Sequence, residues 1–504
     1  LKALFFRYEY RKGVVMKRIK IIFKLLVPLL FTVAIIMLLP LIIAIATKEP
    51  IEPFLIPILI SASMGGLLHQ TLKNVEVKVT IVIAMMLTAI AWTVISIIGG
   101  IPYMIGLSKS FVDAFFESVS AFTTTGITVF QGLDTMPMSI LFWRSLSQWL
   151  GGLGILTFFL LIATNSEGEL WQLFSAEGHK ISSARPVPNV FTTIRIFWAI
   201  YAAFTFIEVI LLKGLGMSLF DAVNHSLTSL STGGFSTHDA SIGYYEQMGF
   251  QHYKAMEYVI ILFMALGGIN FLVHYRLLRK ERLAYFKDIE TKGYLSIIGG
   301  FTLISLVGIG MLRGLPLHAL EESFRKVLFQ MVSLITTTGF GTEDIGSAFF
   351  PAVTKQLFIG LMIVGGSVGS TAGGIKVMRV LVLKETIKRE IRKIHLPRKA
   401  VLPITVDGNI LDSDEVTRIS ALIFAWLVLI MVGSMTTVMF SDLGPFEGFS
   451  GMASAVGNIG PFYFSVEKMI SLSPVIKVTY IVGMLAGRLE LLPLLVLFSR
   501  KSWR

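Results

Sequence analysis

The sequence predicts an all-α polytopic membrane protein, with four tandem span, pore-helix, loop, span repeats around one pseudo-fourfold pore and two leading transmembrane helices. Three observations carry this prediction. The composition suits lipid: 54% of the 504 residues are hydrophobic and 15% charged, with a mean hydropathy of +0.75. Apolar runs of about twenty residues, enough to cross roughly 30 Å of hydrocarbon, recur along the chain. Between them lie four short Gly-centred stretches, Phe122-Thr-Thr-Thr-Gly126-Ile-Thr128, Leu230-Ser-Thr-Gly-Gly234-Phe-Ser236, Ile335-Thr-Thr-Thr-Gly339-Phe-Gly341 and Val456-Gly-Asn-Ile-Gly460-Pro-Phe462.

The apolar runs fall near 19–46, 52–72, 79–101, 139–164, 192–213, 255–275, 295–313, 355–384, 417–440 and 474–499. The first opens on Lys17, Arg18 and Lys20, but it is long, lacks a small-residue cleavage site and is followed by a second span, so it reads as a retained helix. Residues 1–75 then hold a basic amino-terminus and two leading helices. The repeats occupy 76–167, 190–278, 293–385 and 415–504. Basic residues gather before the first run, at 276–292, at 376–399 and in the tail Arg500-Lys501-Ser-Trp-Arg504. Ten crossings put all four clusters on one side, which the positive-inside rule makes cytoplasmic together with both termini. The Gly-centred loops then enter from the outer face.

Register supports the repeat. With Gly126, Gly234, Gly339 and Gly460 as position zero, position −6 is Ser120, Thr228, Ser333 and Ser454, and position −4 is Phe122, Leu230, Ile335 and Val456. Position −13, where a short helix leading to each loop would begin, is Asp113, Asp221, Lys326 and Glu447; an acid suits a helix N-terminus. A second glycine follows inside the next span, at Gly152, Gly268, Gly366 and Gly487. The loop glycines stand 108, 105 and 121 residues apart, so one unit recurs over most of the chain.

Irregular backbone at membrane depth persists only where protein buries it or where it lines a watery path. Successive carbonyls can point one way only if the backbone visits conformations that a Cβ disfavours, which explains the glycines. Four such loops around one axis make a carbonyl-lined pore that can replace the water shell of a cation. Each short helix aims its negative pole at the same centre, favouring a cation there.

Two further features stand out. Gly365-Gly-Ser-Val-Gly-Ser-Thr-Ala-Gly-Gly374 puts five glycines into ten residues of an apolar span, each costing a helix about 1 kcal/mol relative to Ala. The helix is expected to break there and face a water-filled path. Arg488 lies inside the last apolar run, where a guanidinium costs from about 3 to well over 10 kcal/mol at the bilayer centre, so it should face a polar interior with a partner. Glu490 is a candidate counter-ion, although residues two apart on a helix do not face one another. Arg144 and Lys376 are expected nearer the membrane ends, snorkelling.

Several function classes are excluded or disfavoured. The net charge of +12 does not imply nucleic acid, because the basic residues bracket the hydrophobic spans. With no cysteine there is no disulfide framework or thiolate nucleophile. No Walker-type loop or HExxH arrangement occurs, and no soluble nucleotide-binding domain. Asp221, Asn224 and His225 fall in the second short helix, where capping and a vestibule role outrank catalysis. His238 sits either at the outer mouth or on a solvated loop. A secondary transporter with alternating access, coupled to protons or sodium, stands as the alternative, although such proteins usually show paired inverted half-repeats.

Thr123-Thr-Thr-Gly126, Ser231-Thr-Gly-Gly234, Thr336-Thr-Thr-Gly339, Asn458-Ile-Gly460-Pro461, the stretch from Gly365 to Gly374 and Gly487-Arg488-Leu-Glu490 together resemble the TrkH branch of the Trk/Ktr/HKT superfamily of potassium transporters, over nearly the whole chain. The resemblance implies a selectivity filter that binds potassium ion through Thr124, Thr125, Gly126 and Ile127; Thr232, Gly233, Gly234 and Phe235; Thr337, Thr338, Gly339 and Phe340; and Asn458, Ile459 and Gly460. Gly126, rather than Ser, implies a preference for potassium. An intramembrane loop with Gly369, Ser370, Thr371, Gly373 and Gly374 would gate the pore, with Arg488 below the filter as a barrier. The fourth loop departs from the pattern, with Gly457-Asn458-Ile459 in place of three threonines. The resemblance further implies no enzymatic activity and no organic cofactor. It implies a bacterial plasma membrane location, a homodimer, and a separate cytosolic TrkA-type regulatory subunit that binds nucleotides.

Overall fold

The computed structural model describes residues 2–154, 190–281, 283–314, 317–397 and 402–503. The far end of the 139–164 run and the basic residues Arg282, Arg398, Lys399 and Arg504 lie outside them. The named elements are almost all helices; among them only β1 (Ile404–Val406) and β2 (Asn409–Leu411), which form a hairpin, are strands.

The leading helices are α1 (Lys2–Ile36), α2 (Leu38–Thr47) and α3 (Glu52–Leu72), α1 and α2 forming one span with a break at Met37. The first repeat contributes α4 (Ile81–Gly106), the short α5 (Phe111–Phe122) and α6 (Met138–Gly152). The second contributes α7 (Val190–Gly214), the short α8 (Leu219–Leu230), and α9 (Tyr253–Gly267) with α10 (Phe271–Leu278). The third has α11 (Ile289–Arg313), the short α12 (Leu320–Ile335), α13 (Ala352–Leu361) and α14 (Val377–Ile394). The fourth has α15 (Ser413–Met439), the short α16 (Pro445–Gly457), and α17 (Pro474–Arg488) with α18 (Leu492–Phe498).

Among the described residues six spans are long and apolar enough to cross a membrane without a sharp bend, and two further helix pairs do so with one: 101° between α9 and α10, 119° between α17 and α18. The first helix of each repeat is continuous, whereas the second is broken in the second, third and fourth repeats; in the first, α6 ends at Gly152 and the rest of that run lies outside the described residues. The sequence marked such a break only at 365–374. The reason is close approach: a Cβ on Gly151 or Gly487 would strike the carbonyl oxygen of Phe122 or Val456, and one on Gly267 would stand 2.8 Å from that of Leu230. These are the −4 carbonyls at the ends of the short helices, so the second span must run up to a helix terminus and turn away. In the fourth repeat the turn uses Glu490 and Leu491, both at positive φ (56° and 66°).

The short helices start as the acids at −13 foretell in two repeats. Ser110 accepts from the Asp113 amide at 3.1 Å and Ser218 from that of Asp221 at 3.0 Å, and each hydroxyl donates back to the carboxylate, a reciprocal cap. In the fourth, Glu447 accepts from the amide of Gly444. In the third, α12 begins earlier, its first turn carrying Glu321 and Glu322, so Lys326 lies within the helix and ion-pairs with Glu322 at 3.2 Å.

Large apolar side chains on α7, α11 and α15, such as Phe206, Leu303 and Phe424, stay exposed at the periphery, as lipid-facing positions should. The interior holds one large hydrophobic core, and a second small cluster of Val382, Ile404, Val406 and Val416 sits beside the hairpin. Arg18 donates to the Ser502 carbonyl, tying the amino-terminal helix to the tail on one face.

The seat of α5 against α4 depends on Gly99, where a Cβ would meet the Phe122 ring at 2.6 Å and the Ser118 hydroxyl at 2.8 Å. Gly99→Val is therefore expected to cost roughly 1–3 kcal/mol through overpacking, seen as a lower Tm in detergent. Gly66→Ala, with open space around it, should leave Tm unchanged; equal Tm values for both variants would refute the packing.

Candidate functional site

All four Gly-centred loops adopt one backbone path. The residue at −2, Thr124, Thr232, Thr337 or Asn458, has φ between 53° and 56°, and the glycine at zero has φ of 81°, 74°, 85° and 111°. The sequence accounts for the glycines. It does not announce the left-handed Thr at −2, a conformation Asn tolerates better. In each loop the −1 amide donates to the −6 carbonyl at 2.9 to 3.0 Å. The fourth loop, divergent in sequence, keeps the same geometry.

The loops also meet. A Cβ on Gly126 would strike the carbonyl oxygen of Gly233, one on Gly234 that of Thr338, one on Gly339 that of Ile459, and one on Gly460 would stand 3.1 Å from that of Thr125. Each loop glycine thus abuts the −1 carbonyl of the next loop, and the contacts close into a cycle. Position −1 supplies the ring of oxygens: Thr125, Gly233, Thr338 and Ile459. The +1 carbonyls of Phe235 and Phe340 accept from the −6 hydroxyls of Thr228 and Ser333 at 2.8 and 2.7 Å, while Ile127 is buried in the wall.

The triple threonines of the first and third loops have a local use, since the −3 and −1 hydroxyls pair at 2.7 Å in both. In the fourth, Asn458 replaces that pairing and donates to Thr125 Oγ1 and to the Met484 carbonyl, each at 2.9 Å. Between the first two loops, Gln148 donates to the Gly233 carbonyl at 2.6 Å and accepts from the Phe235 amide at 2.9 Å.

Arg144 does not snorkel. It is 1% exposed, pairs with buried Glu117 at 2.8 Å, donates to the Ser236 carbonyl at 3.2 Å and lies 4.1 Å from the Phe235 ring centre. Glu117 in turn accepts from Thr128 Oγ1 and the Val129 amide. Arg325 and Glu257 form a second fully buried pair. Sequence reasoning missed Glu117, Gln148, Glu257 and Arg325, whose partners are distant in the chain; the available signal was Glu257, a charge inside the 255–275 apolar run.

Above the ring opens a cavity of about 970 Å³, reached by the four loop glycines and lined by Asp239, Glu343, Asp344 and Glu467. His238 lines it too, bonded to Asp134 at 2.5 Å and stacked on Tyr244. Burial lowers the His238 pKa, but Asp221 and Asp134 outweigh it and hold the ring above the ordinary histidine value.

Below the ring lies the 365–374 loop, closed by a parallel bridge between Val364 and Ile375. Gly369 and Gly374 take positive φ (74° and 66°). The Gly369 carbonyl accepts from the Phe271 amide at 3.1 Å, and Ser370 closes a turn onto the Ser367 carbonyl. Thr371 Oγ1 donates to the carbonyls of Leu230 or Gly267, each 3.0 Å away. The Gly373 amide donates to Thr337 Oγ1 at 2.7 Å. Arg488 joins these parts, donating to Thr124 Oγ1 at 3.2 Å, the Thr371 carbonyl at 3.0 Å, the Gly152 carbonyl at 2.6 Å and the Gly151 carbonyl. A small cavity of about 40 Å³ remains between the loop, Trp92 and Arg488.

Two further expectations need correction. Glu490 pairs with Arg379 rather than Arg488, because the chain turns between residues 488 and 490. Lys376 is turned inward onto the carbonyls of Ala372 and Gly373.

Comparison with known proteins agrees with this architecture. The TrkH family model, a cation transport protein, matches residues 50–504. The Trk system potassium uptake protein TrkH of Escherichia coli K12 is 32% identical over 83% of this chain and 85% of its own. TrkI of Halomonas elongata is 30% identical over 96% of both chains. The crystal structure of the potassium transporter TrkH from Vibrio parahaemolyticus superposes with a TM-score of 0.83 at 29% identity, covering 96% of this chain and 100% of that one. A multi-pass helical chain with this loop ring, matched by the family model over all but its first 49 residues, belongs to the TrkH family of cation transport proteins.

Proposed function

We propose that the chain is the potassium-translocating membrane subunit of a Trk-type uptake system, built as the four repeats 76–167, 190–278, 293–385 and 415–504. The observation that carries this reading is the cyclic contact of each loop glycine with the next loop's −1 carbonyl. Potassium enters from the acidic vestibule, sheds water and is held by main-chain oxygens of the residues from Thr124 to Ile127, Thr232 to Phe235, Thr337 to Phe340 and Asn458 to Gly460. The carboxyl ends of the short helices add negative potential at the same centre. The names of the relatives, which are potassium uptake proteins, support potassium as the ion.

The intramembrane loop with Gly369, Ser370, Thr371, Gly373 and Gly374 is the gate, a reading supported by its contacts to Thr337 and, through Arg488, to Thr124, which hold it under the ring. A fixed guanidinium there opposes a passing cation by about 4 kcal/mol at 4 Å and an effective dielectric of 20. Opening is driven by a cytosolic nucleotide-binding TrkA-type subunit docking on the basic face of a homodimer in the bacterial plasma membrane, with both termini cytoplasmic.

Gly126→Ser tests the filter. Potassium and sodium flux through reconstituted protein, measured in parallel without an imposed counter-ion, should show the potassium preference falling about tenfold, or about 1.4 kcal/mol in relative binding; an unchanged ratio contradicts the assignment. Arg488→Ala tests the gate. Basal rubidium flux without a partner subunit should rise several-fold, and a flux equal to wild type would remove Arg488 from the barrier.

A further inference from the structure

The loop beneath the ring begins and ends on one side chain. Glu290, the second residue of α11, is 3% exposed. Its Oε1 accepts from the amide of Val368 at 2.9 Å and from the amide of Met378 at 2.9 Å. Val368 immediately precedes Gly369, and Met378 is the second residue of α14. A single carboxylate oxygen therefore joins the segment leading into the intramembrane loop to the helix leading out of it.

The chemistry of each end explains why an acceptor is needed. The amide of Met378 is one of the orphan donors of the α14 N-terminus, and the residue at its cap, Lys376, makes no capping bond. Glu290 supplies that cap from another helix, where the positive pole of α14 favours a carboxylate. The amide of Val368 belongs to irregular backbone at membrane depth, where an unsatisfied donor is costly. The other backbone bonds across the loop base run to carbonyls: Ser367 to Gly268 at 2.9 Å, Val377 to Gly366 at 3.1 Å. Among the described residues Glu290 is the carboxylate bonded to this stretch of backbone.

We propose that Glu290 is the positioning residue of the gate, its carboxylate holding both ends of the intramembrane loop together so that Thr371 and Gly373 stay seated under the ring, and passing any displacement of α14 to the loop. This rests on the gate reading above. α14 continues from Met378 toward the basic segment at 384–393, so a force on that segment reaches the end of the loop along the chain and its entry at Val368 through the Met378 amide and Glu290. The residue touches neither the ring nor the vestibule.

Basal rubidium flux and the potassium-to-sodium ratio are measured in reconstituted full-length wild type, Glu290→Ala and Glu290→Gln, each checked for monodispersity. Glu290→Ala removes both bonds and should raise basal flux at least several-fold with the ion ratio unchanged. Glu290→Gln keeps an oxygen that can accept both, and its flux should stay within about twofold of wild type. Wild-type flux in a monodisperse Glu290→Ala protein overturns the proposal, as does a Gln variant as leaky as Ala. If Glu290→Ala does not fold, amide hydrogen exchange in wild type decides: matched protection of Val368 and Met378 supports the staple, and fast exchange at either refutes it. Failure of the filter reading would instead show as a wild-type protein without potassium preference, whatever residue 290 is.

Discussion

A backbone that leaves its helix inside a membrane must find partners for every amide and carbonyl it frees, and the architecture of this protein follows from how that requirement is met. At the ring, the −1 amide of each loop returns to the −6 carbonyl of its own short helix, while the −1 carbonyls stand against the next loop, that of Gly233 also accepting from Gln148. The left-handed residue at −2 and the glycine at zero permit this path. Two conformations disfavoured for residues with a Cβ, repeated four times, are held by the surroundings rather than by local preference.

Those surroundings are not fourfold. The first and second loops are bound together by Arg144, Glu117 and Gln148, the fourth and first by Asn458 and by the Lys477 to Asp113 pair. The second and third repeats are joined by Arg325 and Glu257. A buried pair of this kind gains little net stability, because desolvation offsets much of the attraction. Its value here is positional: removing either partner would leave a buried charge, so the pair fixes which loop lies beside which. The backbone geometry is symmetric while the means of enforcing it differ, which is why repeat identity fades in the side chains behind the loops.

The two irregular segments at membrane depth satisfy each other in part. Thr337 accepts from Gly373, Thr371 donates to the carbonyl of Leu230 or Gly267, and Arg488 bridges Thr124 to Thr371. Displacing the loop frees the Thr337 hydroxyl and the carbonyls of Leu230 and Gly267 at the base of the ring. In the proposed mechanism water entering from below replaces those partners, and the loop can leave without abandoning buried polar groups. Arg379, paired with Glu490 at the turn between α17 and α18, links the helix after the loop to the fourth repeat.

Hydropathy, the Gly-centred stretches and their common register were legible in the chain, because lipid admits few backbone forms and glycine marks where the chain departs from them. Membrane class, the approximate spans and the four loops followed from residues close together in sequence. Which loop touches which, and how the wall is braced, was decided by the tertiary structure. Arg144, which its place in the sequence suggests should snorkel, is instead paired with Glu117 on another helix, and Glu490, a candidate partner for Arg488, is carried to Arg379 by the turn after α17. The breaks in the second spans of the second and fourth repeats were equally silent, since they arise where a helix meets the end of a neighbouring short helix. Local sequence set the conformations available to each segment, while the partners of buried charges and freed backbone groups emerged only once distant segments packed together.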